Sequence, residues 1–103
     1  MAKVIDISDR LAFNEDPALV INGEKFTVNS NAEAVLKIMG AFDGKDEAQA
    51  VRTALGELFS PEDLERLLKI QKDGRKLSIR DLTVIVDAAI NAILGTDPDE
   101  SKN

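Results

Sequence analysis

The sequence predicts a mainly α-helical, small α+β domain, an N-terminal arm and a β-hairpin packed on a bundle of about four helices. Three observations predict it. Four stretches after residue 30 carry apolar residues at helical spacing, and most open on a capping residue. One Asn-Gly dipeptide, Asn22-Gly23, lies between two β-prone runs. The 103 residues are 44% hydrophobic, enough for one domain with a real core, yet hold only four aromatic residues, all Phe. Aliphatic side chains must therefore do most of the packing.

Residues 1–16 read as an arm that docks onto the body, with Val4, Ile5, Ile7, Leu11 and Phe13 following no sustained period. Residues 17–29 read as the hairpin. A two-residue type I′ turn needs positive φ at both central positions, which Asn-Gly tolerates. That register sets Leu19 opposite Phe26 with Ile21 on the same face, and turns Val20, Lys25 and Thr27 the other way. The hairpin is marginal alone, so its apolar face should lie on helices.

Residues 30–95 supply the helices. Ser30 followed by Glu33 reads as a capping box, opening a helix whose buried stripe is Val35, Leu36, Met39 and Phe42. Asp46 and Glu47 favour the start of a second helix, with Val51, Leu55, Leu58 and Phe59 at helical spacing. Ser60-Pro61 opens a third, lined by Leu64, Leu67 and Leu68 and ended by Asp73-Gly74. Ser78 and Asp81 cap the last, which runs to a C-terminal cap at Gly95. Residues 96–103, TDPDESKN, read as a disordered acidic tail.

On the last helix, Arg80, Thr83, Asp87 and Asn91 form one narrow polar stripe at about 100° per residue. Leu82, Ile85, Val86, Ala89, Ile90 and Ile93 cover much of the rest, while Ala88 and Ala92 form a flat strip. Two readings follow: a central helix surrounded by its own domain, or a helix with one flank left for a partner or a second copy. The second makes those six apolar residues the candidate partner-binding set.

Composition narrows the chemistry. The chain has no Cys and no His, which removes thiol and Ser-His catalysis and the commonest transition-metal sites. Its acidic clusters lack EF-hand spacing, and helix-start electrostatics account for them. The expectation is a non-enzymatic protein with no catalytic, metal or cofactor site. A net charge of −6 disfavours nucleic acid and anionic membranes. One segment departs from that balance, because Lys69, Lys72, Arg75, Lys76 and Arg80 surround a single acid, Asp73. Spanning the link between the third and fourth helices, it has the outline of a helix-turn-helix, the alternative reading as a DNA-binding regulator. Asp6 and Asp9 interrupt any signal-peptide core, and Asp87 and Asn91 break the longest apolar stretch, so neither export by that route nor a membrane span is expected.

Taken in order, VIDISDRLAF, LVINGEKFTV, AEAVLKIMGAF, ELFSPEDLERLLKI and SIRDLTVIVDAAINAILG resemble the tail assembly chaperones of long-tailed bacteriophages and prophages of Gram-positive bacteria. The resemblance covers nearly the whole chain and rests on segment order, compact length and acidic balance. It implies a helical, non-enzymatic protein, made in the cytoplasm of the bacterial host and absent from the mature virion. Such a protein would bind the tape measure protein and recruit tail tube protein around it, and homo-oligomers are compatible with that role. In this family a ribosomal frameshift often yields a longer product, whose extension would join after Gly95. The family has no catalytic motif to carry over.

Overall fold

The computed structural model describes residues 2–11 and 15–95, so Phe13 and the expected tail 96–103 lie outside the described residues. The architecture is the small α+β arrangement that the pattern predicts, with four helices and two antiparallel hairpins. Strands β1 (Ala18–Ile21) and β2 (Glu24–Thr27) pair in the expected register, Leu19 opposite Phe26. Asn22 and Gly23 have φ of 52° and 82°, as the type I′ turn requires. Phe26 and the following Val28 are buried, whereas Val20 points into solvent at 72% exposure.

Helix α1 (Ala32–Phe42) begins later than the Ser30 box implies. The Asp16 carboxylate accepts from both the Ser30 N–H and its hydroxyl, so Ser30 is committed to the segment before the hairpin. Asn31 caps the helix instead, its Oδ1 accepting from the Glu33 N–H at 2.7 Å. Helix α2 (Glu47–Leu58) is capped by Asp46 and buries Val51, Leu55 and Leu58, with Phe59 following. It packs on α1, on α3 (Pro61–Leu68) and on α4 (Ile79–Leu94), and α4 also packs on β1.

Asp73-Gly74 does more than stop a helix. After α3 the chain forms a second hairpin, β3 (Gln71–Lys72) with β4 (Arg75–Lys76), and these two residues are its turn, with φ of 55° and 77°. The chemistry is that of Asn22-Gly23, but strands of two polar residues carry no apolar alternation to betray them. The Ser78–Asp81 capping box is formed in both directions, and Gly95 closes α4 in the left-handed region at φ 72°.

The core draws on every large element: Phe26 and Val28 from the hairpin, Ile38 from α1, Leu58 from α2, Leu67 from α3, Ile85 and Ala89 from α4. Among the described residues no polar side chain is buried. Phe26 meets Phe59 edge to face, ring centroids 6.4 Å apart. Arg66 lies 4.4 Å over the Phe26 ring and donates to the Lys25 carbonyl at 2.9 Å, which ties α3 to the hairpin.

The expected docking of the arm is not seen over residues 2–11. Residues 2–11 are exposed throughout, Val4 at 93%, and a single 3-10 turn at Ser8–Arg10 is their regular structure. Asp16, still within the expected arm, does engage the body, its carboxylate accepting from Ser30, and the Pro17 carbonyl accepts from the Val28 N–H.

Candidate protein-binding surface

Helix α1 presents outward the stripe that its spacing suggested was inward. Leu36 is 67% exposed, Met39 58% and Phe42 42%, with Val35 half-buried. The buried positions are Ala34 and Ile38, on the neighbouring arc. Sequence periodicity missed this because both arcs are apolar. Helix α1 packs on α2, whose own buried Ala50 and Ala54 permit close approach of the two backbones. Three large apolar side chains, Leu36, Met39 and Phe42, are thereby left in water, following one another at three-residue steps so that each is a helical neighbour of the next.

On α4 the six candidate residues divide. Ile85, Val86 and Ala89 are buried, so that part of the arc belongs to the core. Leu82, Ile90 and Ile93 are half-buried against it, and each keeps an edge on a surface groove. The large apolar residues of α4 most open to solvent are others: Ile79 at 63%, Val84 at 61% and Leu94 at 62%. Ala88 is exposed and Ala92 half-buried. A helix this apolar therefore serves as core along one side and as exposed surface along another.

Shallow grooves line α4 on more than one side. One of 360 Å³ lies between α1 and α4, with Met39, Phe42 and Ile90 among its walls. Another of 290 Å³ is bounded by Leu55, Leu64, Leu68 and Leu82. Between them a third, walled by Ile79 and Val84, shares Thr83 with the first and Val51 with the second. Exposed apolar side chains edge these grooves, Met39, Phe42, Leu68, Ile79 and Val84 among them, with the polar Arg80, Thr83 and Asp87 set between.

The polar sites are structural. Hydrogen bonds from the Ser30 hydroxyl and N–H hold the Asp16 carboxyl below its usual range, and those from Ser78 do the same for Asp81. Asp6 is lowered by the hydroxyl and N–H of Ser8. Among the described residues no cluster of His, Cys, Asp or Glu could hold a metal ion, and no helix is long and apolar enough to cross a membrane.

The basic segment lies on the second hairpin. Lys69 pairs with Glu65 at 3.0 Å, while Lys72, Arg75, Lys76 and Arg80 have no ion pair among the described residues. Helices α3 and α4 are separated by the hairpin rather than by the short turn of a helix-turn-helix. Comparisons with protein-family models, with curated proteins and with solved structures returned no match.

Proposed function

We propose that the protein is a non-enzymatic tail assembly chaperone, which binds a long helical tape measure protein and recruits tail tube subunits around it during phage tail morphogenesis. It acts in the cytoplasm of the bacterial host and is left out of the mature virion. The order of the five segments supports the family reading, and the single structural observation that carries the binding role is the outward stripe Leu36, Met39 and Phe42. A client rich in amphipathic helices would lay its own apolar stripe along those residues and shed water from both. Exposing an apolar face at a cost in solubility is a reason for the high acidic charge, which keeps unloaded copies apart.

The test is co-expression with the tape measure protein of the phage or prophage that encodes the chain. Wild type is expected to keep that client soluble and to co-purify with it, whereas Leu36→Asp and Met39→Asp release it while retaining helical circular dichroism. Full client solubility with both variants would sink the reading.

The four cations of the second hairpin and α4 without ion pairs favour one alternative, a DNA-binding regulator. It requires duplex DNA to be retained at low salt and released steeply as salt rises. The chaperone reading expects no retention.

A further inference from the structure

The arm leaves the body at a clasp beside the start of α1, where the Asp16 carboxylate accepts from the Ser30 N–H and hydroxyl. Counted outward from that clasp, the arm and α1 mirror each other. Ile7 and Met39 each lie nine residues from it, and Leu11 and Leu36 five and six. All four are exposed. The arm also holds the beginning of a helix: Asp6 accepts from the Ser8 N–H at 2.9 Å, the reach by which an aspartate caps one, the 3-10 turn Ser8–Arg10 follows, and Ile7 and Leu11 stand one helical turn apart. Past that cap come Val4 and Lys3, as Phe42 and Asp43 come at the far end of α1. Neither Lys3 nor Asp43 has an ion pair among the described residues.

We propose that the arm is a strap, which closes over the stripe Leu36, Met39 and Phe42 as a short helix antiparallel to α1 and so gates the surface a client would use. Ile7 then lies against Met39 and Leu11 against Leu36, with Val4 and Lys3 toward Phe42 and Asp43, so that apolar meets apolar and unlike charges meet. A helix this short does not persist alone, and it forms only where the stripe covers its apolar side. The clasp keeps the arm's root beside the stripe, which makes the local concentration high. Gly40, exposed on α1, has open space where a Cβ would stand, room for the arm's backbone. The structure holds the open form. Ordering the arm costs entropy that offsets its contacts, so the two forms are comparably populated at room temperature, and at the melting temperature the open form prevails. Closure needs no client; the gating rests on the chaperone reading.

The chain has no cysteine, so pairs can be introduced cleanly. The full chain carrying Ile7→Cys with Met39→Cys is treated in dilute solution with oxidised glutathione, beside a control carrying Ile7→Cys with Lys37→Cys. Lys37 is exposed and nearer the clasp, seven residues away, but stands about 200° round α1 from Met39. An arm moving at random reaches both positions. The strap reaches Met39, and the monomeric 7–39 disulfide is expected to form at least about tenfold faster than the control. Removing residues 1–11 is expected to tighten binding of the tape measure protein about twofold, because a surface half covered in the full chain becomes wholly open. Equal disulfide rates overturn the proposal, as does equal client binding by the two chains. A client that binds neither chain, with the 7–39 preference intact, sinks the chaperone reading instead and supports the strap.

Discussion

Arg66 fastens α3 to the hairpin with a side chain that remains 45% exposed: over Phe26, at the Lys25 carbonyl, and in ion pairs of 3.3 and 3.4 Å to Glu24 and Asp63. The two ion pairs are worth little in water, so the ring contact and the carbonyl bond carry most of its value. Arg66→Ala is expected to lower unfolding stability by about 1 kcal/mol, read from the urea midpoint. No sequence pattern marks this residue, because its partner Lys25 lies 41 positions away. Gly23 is the opposite case, legible at once from Asn-Gly. Gly23→Val places a β-branched residue at φ 82° and is expected to cost roughly 1 kcal/mol or more. Asp16 and Asp81 each contribute to the acid response. Their carboxyls titrate lower in the folded chain than in the unfolded one, whose value is near 3.8, so their stabilisation is complete above that value and is lost as pH falls through the folded range. These two groups are expected to leave thermal melts unchanged from neutral pH to about 5 and to lower them as pH falls below about 4. Asp16→Asn or Asp81→Asn should make that fall shallower.

At the level of elements, caps were the most legible feature and helix orientation the least. Ser60, Ser78 and Gly95 do what their residue types imply, since a cap is a local hydrogen-bonding problem. Which side of α1 faces inward is settled by the shape of α2, information that lies in another segment. The same limit applies to α4, where an arc of six apolar residues includes both core and groove edge. Ile85→Asp is expected to unfold the domain, because it buries a charge with no partner. Ile90→Asp, at a half-buried groove wall, is expected to leave the helix formed, with circular dichroism near wild type and weaker association.

For the whole molecule, helices over a hairpin could be read from patterning, but the position of the arm could not. An arm with Val4, Ile5, Ile7 and Leu11 looks from sequence like a strand or strap in search of a core; in the structure all four are exposed and the core is complete without them. Deleting residues 1–11 is therefore expected to shift the melting temperature by no more than a degree or two, since residues 2–11 are exposed throughout. A large drop in melting temperature would mean that the arm belongs to the fold.

The exposure of Phe42 has a spectroscopic consequence. With neither Trp nor Tyr, the chain is dark where proteins usually fluoresce. Because Phe42 is 42% exposed at a groove edge, an indole can replace its ring there without entering the core. Phe42→Trp would give one emitter on a silent background, red-shifted while it stands in water and blue-shifted once another molecule covers it. Occupancy of that face, by a second copy or by a client, would become an optical signal that can be followed in real time and assigned to a single position.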